Sequence, residues 1–229
     1  MMNSKTLLAG AAIAAALFAA GASQAQSYDV TIWNGAPDGV SSTTYAGATA
    51  PTGAAFAHFT YLGPIDWVND TPNNGKDSTQ NLFSQFLNSA DITGYTGAVG
   101  EDTFLGTSMS DEGDDYASYF HIVGSYSGSN VTGTITHDDG ASVFDYTGAN
   151  ACTPACTAGE TSQITESFAL PSGSHSFSVD YVEGNGSPSV LELDVSSVPE
   201  PATWAVMLAG FGGLGVAMRS RRKQAAATA

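Results

Sequence analysis

The chain has 229 residues, with six basic side chains against 22 acidic ones and a net charge of −16 at neutral pH. Such a surface repels nucleic acid and anionic membrane faces, which excludes both as partners. The basic residues are also unevenly placed, so whatever lies between the two ends cannot be knit together by salt bridges.

At the N-terminus Lys5 precedes an apolar run from Leu7 to Ala22, and Ser23-Gln24-Ala25 carries small residues at the two positions a signal peptidase reads. Residues 1–25 therefore read as a secretory signal peptide whose h-region is helical, with the mature chain starting at Gln26. A buried alanine-rich helix is the alternative, but the run shows no amphipathic pattern. The protein is expected to leave the cytoplasm.

Residues 26–198 are then one secreted domain of 173 residues, enough for a real core. It holds 21 of the acidic residues and one basic residue, Lys76, a net of −20. The pattern in it is β. "YDVTIW" at Tyr28–Trp33 alternates cleanly and "AFAHFTYL" at Ala55–Leu62 less so, with Gly35–Gly53 between them as a long loop or edge. "DSTQNLFSQFLNSAD" predicts one short helix, capped by Asp77 or Ser78, with Leu82, Phe83, Phe86 and Leu87 on a shared face. The acidic run Asp111, Glu112, Asp114 and Asp115 lacks the spacing of an EF-hand loop and reads as a solvated loop. "YASYFHIVGSYSG", "NVTGTITHDDGASVFDYTG", "TSQITESFALPSGSHSFSVDYVEG" and "SVLELDVS" follow as further strands, punctuated by Gly, Asn, Asp and Ser. The expected fold is all-β, an antiparallel, jelly-roll-like β-sandwich with one short helix, flanked by the signal helix and a C-terminal transmembrane helix.

Cys152 and Cys156 in "CTPAC" sit in an oxidising compartment, and a five-residue loop bent by Pro154 brings them within bridging distance, so a local disulfide is expected. A zinc site would need further thiol or histidine partners nearby. His137 beside Asp138 resembles an acid–base pair, but neighbouring strand residues point to opposite faces. His58, His121 and His175 stand at strand-like positions, packed or at the surface. No nucleophile elbow and no zinc-protease motif occurs, and no catalytic group can be named.

"GTITHDDGASVFDYTG" and "ITESFALPSGSHSFSVDYVEGNGSPSVLELDV", within residues 116–195, resemble the protective-antigen-type β-sandwich of toxins, glycosidases and adhesins. The shared elements are a strand running into Asp-Asp-Gly, a Leu-Pro-x-Gly-x-His turn and a strand ending in Tyr-x-Glu (Tyr181, Glu183). In the lectin branch of that family two adjacent aspartates coordinate Ca²⁺, which grips sugar hydroxyls. The resemblance thus implies a metal site at Asp138 and Asp139. Glu183 stands close to where those lectins use an asparagine, with Asn185 two residues on, and an extra carboxylate there would tighten a cation. Adjacent carboxylates converging on one point suit the oxygen-rich shell of calcium, and without a cation they repel each other. Asp138-Asp139-Gly140 is equally what a β-turn needs, and both readings stand at this point.

The chain closes on "VPEPATWAVMLAGFGGLGVAMRSRRK". Trp204–Met218 is fifteen residues without a charge, and four of the six basic residues follow within the next five positions. That is shorter than the ~20 residues a spanning helix normally needs, although a membrane tolerates its glycines. A transmembrane segment over 203–218 would leave the basic end cytoplasmic and the body outside. Pro199-Glu200-Pro201, Trp204-Ala205, the glycine-rich span and Arg221-Arg222 together resemble the PEP-CTERM sorting tail of Gram-negative bacteria, in its Trp-Ala subtype, over residues 199–229. The resemblance implies cleavage near Pro199–Pro201 by an exosortase, transient residence in the inner membrane, and delivery to the envelope, the outer surface or the matrix. A plain single-pass anchor is the alternative.

Function, on these grounds, is that of a secreted, non-enzymatic envelope or matrix protein that binds exopolysaccharide or another glycan, or serves biofilm adhesion, with Ca²⁺ as its cofactor. The alternatives are a purely structural matrix protein and a polysaccharide hydrolase.

Overall fold

Alternation of apolar and polar residues dictates strands that bury one face, and the computed structural model has nine among the residues it describes. It describes residues 26–35, 46–47, 50–70, 81–110, 117–184 and 186–198, with Met207, Gly210 and Phe211 of the tail. In chain order these are β1 (Ser27–Asn34), β2 (Ala57–Leu62), β3 (Asp66–Asn69), a one-turn helix α1 (Phe83–Phe86), β4 (Ile92–Gly97), a short helix α2 (Glu101–Leu105), β5 (Ser118–His137), β6 (Gly140–Asp145), β7 (Ile164–Leu170), β8 (Gly173–Glu183) and β9 (Ser189–Val198). All the strand pairs are antiparallel. The fold is all-β, as the sequence predicts.

One strand organises it. The first half of β5 pairs with β1 on one side and β8 on the other, which extends to β2 and β4 one way and to β6 the other. The second half pairs with β7 and β9, and β9 carries β3 at the edge. Two layers thus share β5. Phe120, Ile122 and Tyr126 face the core in the first half, Val131, Ile135 and His137 in the second, so the inward parity switches between them. Asn130, at φ 53°, and a register shift between Ser129 and Thr132 supply that switch. β6, β7, β8 and β9 then alternate between the layers.

The two layers meet through aromatic contacts. Trp67 on β3 packs edge-on against Tyr61 of the facing layer at 5.0 Å and against Phe86 of α1 at 5.6 Å. Phe83 and Phe104, from the two helices, lie 4.5 Å apart and close one side of the core. Such pairs contribute about 0.5–1.5 kcal/mol each beyond their burial. A smaller cluster of Trp33, Ala46, Ala117, Tyr119 and Val182 lies apart from this core.

The helix expected over residues 77–91 is only a single turn plus a 3₁₀ turn at Ser89–Asp91. Leu87 is extended, which ends the helix, and Asn88 caps the 3₁₀ turn by accepting the Ala90 N–H on its side-chain oxygen. The shared face survives, since Phe83, Phe86 and Leu87 are buried. The expected caps, Asp77 and Ser78, lie outside the described residues, as do the signal peptide, the Pro199–Pro201 tripeptide and most of the 203–218 span. Among the described residues no helix is long and apolar enough to cross a membrane.

Residues Ala25–Val198 form one compact unit. Within it β1 starts and β9 ends near the Asn130 bend: Val198 pairs with Ser129, and Asp29, two residues into β1, pairs with Val123. The Asp138–Asp139 crossing lies at the other end, beside the Glu183–Ser189 connection.

Candidate functional site

β5 ends at His137 in one layer and β6 begins at Gly140 in the other, paired with Val182. Asp138 and Asp139 are therefore a corner between layers and not a hairpin. Asp139 takes φ 62°, a left-handed conformation that aspartate tolerates better than most residues. The Asp138 N–H donates to the Val190 carbonyl (3.1 Å), Asp139 N–H to that of Thr161 (3.0 Å) and Ala141 N–H to that of Thr157 (2.9 Å). Gly140 is required, because a Cβ there would overlap the Ala158 carbonyl. Cys152 and Cys156 form the expected disulfide, and the segment that holds the corner follows it directly.

His137 is fully buried and does not pair with Asp138. Its Nδ1 lies 2.9 Å from the Asp139 carbonyl and its Nε2 3.0 Å from Glu166 Oε2. Burial pushes the Glu166 carboxyl up, but hydrogen bonds from His137 and from the Thr157 N–H and hydroxyl outweigh it and hold the group below its ordinary range. The ring thus braces the backbone of the corner.

Three carboxyl groups gather there. Asp139 is 3 % exposed, and its Oδ2 accepts the Gly184 N–H at 2.8 Å. Glu183, wholly buried, accepts from the Tyr181 hydroxyl (2.7 Å), the Ser110 hydroxyl (2.9 Å) and the Asn81 amide (3.2 Å). Asn81 in turn accepts from Ser189 and Asn69, which extends a buried polar network across the end of the sandwich. Burial and then the charge of Asp139 push Glu183 well above the usual carboxylate range. Asp138, half-buried, is pushed up to about 6 by burial and by Asp139 beside it.

The structure so brings Asp138, Asp139 and Glu183 to one end, with Glu183 deepest. Among the described residues no group of three or more His, Cys, Asp or Glu side chains is placed to hold a metal ion. The acidic run at 111–115 and Asn185 lie outside the described residues. The brace of His137, Glu166 and Thr157 and the Asn81–Ser110 donors escape the sequence reading, since partners 9 to 102 residues apart leave no local signal. The other histidines are engaged at a distance: His58 with Asp29 at 3.1 Å, His121 with Asp180 at 2.6 Å, and His175 stacked on Tyr146. A cleft of about 320 Å³ lies apart from the corner, among Asp66, Thr134, Thr136, Glu192 and Asp194.

No curated protein matches this chain. Solved structures similar to it include a PA14 sugar-binding domain from an RTX adhesin, at 14 % identity and a TM-score of 0.43, over 75 % of this chain and 90 % of that one. The PA14 domain of the MpAFP antifreeze protein is similar at 14 % and 0.43, over 76 % and 81 %. Likenesses of that size carry no argument here, and the fold stands on the chain's own strand registers. Residues 197–223 match the PEP-CTERM protein-sorting motif, and this chain is accordingly an exported protein with a C-terminal sorting signal.

Proposed function

We propose that the chain is a non-enzymatic β-sandwich protein that binds glycan at the Asp138–Asp139 corner through Ca²⁺, in the cell envelope or the extracellular matrix of a Gram-negative bacterium. Signal peptidase releases it at Gln26, the tail resides in the inner membrane, and an exosortase cleaves near Pro199–Pro201. Exopolysaccharide is the natural partner for a protein delivered there, with biofilm adhesion as the outcome.

The observation that carries this reading is the gathering of three carboxyl groups at one end, two of them raised in pKa by burial and by the charge of Asp139. Calcium takes six to eight oxygens. Asp138 and Asp139 suit its shell as adjacent carboxylates on a fixed corner. Glu183 fits less well as a direct ligand, because its two oxygens already accept from Tyr181, Ser110 and Asn81. It lies beneath the pair, held by those three donors. A bound cation supplies the positive charge that the body, with Lys76 alone, otherwise lacks.

Thermal unfolding in calcium and in EDTA, combined with a glycan array, tests the reading. Calcium should raise the melting temperature by linkage and should be required for binding, and Asp139→Asn should lose both. Identical melting curves in calcium and EDTA end the calcium half. Array binding by Asp139→Asn equal to that of wild type ends the assignment of glycan to this corner. Assembly into matrix without glycan binding would instead favour a structural protein, and glycan turnover lost on one carboxylate substitution a hydrolase.

A further inference from the structure

Tyr146 lies on the turn after β6, and one carboxylate fixes that turn. Asp145 Oδ1 accepts from the Thr147 N–H (2.8 Å), the Thr147 hydroxyl (2.6 Å) and the Ala149 N–H (3.1 Å). The Tyr146 ring stacks on His175 with centroids 4.0 Å and planes 11° apart. Gly173, at φ 131°, leaves room for the imidazole, which a Cβ would crowd. His175 leans in turn on Tyr126 at 5.9 Å, and Tyr126 on Phe177 at 6.2 Å.

This stair of rings is buried at its foot and open at its top. Tyr126 is 7 % exposed, whereas Tyr146 is 50 % exposed although both its backbone and its ring are fixed. The Tyr126 hydroxyl is buried and has no hydrogen-bond partner among the described residues. Burial raises its pKa, with the charges of Asp145 and Tyr146 adding to the effect. A rigid, half-open aromatic ring on a turn that also carries the Asp145 carboxylate suits a ligand that offers both a flat apolar face and polar edges.

We propose that Tyr146, backed by His175 and edged by Asp145, is a cation-independent platform for a neutral pyranose ring of a polysaccharide. The axial C–H groups of a sugar stack on the open side of the tyrosine ring, and its hydroxyls meet the Asp145 carboxylate. A body of net charge −20 disfavours acidic sugars and nucleotides at a site with no cation. β6 separates this platform from the Asp138–Asp139 corner by about 20 Å, six residues of strand. The platform shares with the calcium reading only the glycan class of its ligand and does not need that reading to hold.

The full chain, purified from its host, is applied in EDTA to an array of neutral and acidic oligosaccharides. Binding to neutral glycans should persist in EDTA, fall about tenfold or more in Tyr146→Ala and be kept in Tyr146→Phe. Asp139→Asn should leave this EDTA-resistant binding intact, so that failure of the corner and failure of the platform are told apart. Absence of EDTA-resistant binding, or such binding undiminished in Tyr146→Ala, overturns the proposal. Should Tyr146→Ala unfold, the strongest neutral hit is added to wild type and the His175 ring protons are followed by NMR. Shifted resonances support the platform and unmoved ones overturn it.

Discussion

Around β5 the chain changes layers twice, and the two corners are built differently. At Asn130 the change is a matter of conformation: an exposed residue takes φ 53°, and its N–H makes a 3.4 Å contact with the Ser172 hydroxyl. At Asp138–Asp139 three backbone N–H groups are bound to two remote segments, a buried histidine braces the carbonyl, and three carboxyl groups crowd the same end. The first corner shows how little a crossing between layers requires. The second carries much more than a crossing requires, including like charges held together at a cost to stability. Excess of that kind is where a fold departs from its own economy, and such departures concentrate at sites of function.

Substitution distinguishes the corners. The largest effect should come from Gly140→Ala, where the new methyl meets the Ala158 carbonyl: a loss of about 2–3 kcal/mol in urea unfolding, with a matching drop in melting temperature. Asn130→Ala should cost only about 1 kcal/mol, the penalty of a left-handed residue with a Cβ and no polar side chain, and Asn130→Gly should be close to neutral. Equal losses at the two positions would erase the contrast. The smallest effect is in pH. Asp138 is more readily protonated in the folded chain than in the unfolded one, so the folded state holds more protons between about 4 and about 6. Stability should therefore fall as pH rises through that window, and Asp138→Asn should flatten the slope, read as urea midpoints at its two limits. Solvent reaching this half-buried carboxyl keeps the effect well below what full burial would give. A slope of opposite sign would show that the folded state favours the ionised Asp138 carboxylate.

The same contrast explains what could be read from sequence. Strands with clean alternation, Tyr28–Trp33 above all, are visible because their pattern is a direct consequence of one buried face. The four residues of β3 and the glycine-interrupted β4 offer too short a pattern, and α2 is a single turn between Gly100 and Gly106. β5 reads as two strands because its inward parity flips at the Asn130 bend, although its backbone is continuous. Asp138 and Asp139 attract notice as adjacent acids, but a hairpin and a corner between layers share the same local residues. The depth of Glu183 was illegible, since its burial depends on Asn81 and Ser110 arriving from remote loops.

Both ends of the sandwich domain emerge near Asn130, with the carboxyl-rich corner at the far side, roughly 30 Å away by the length of the first half of β5. Changes at either end of this domain therefore act on the Asn130 side and leave the carboxyl-rich corner with the same neighbours.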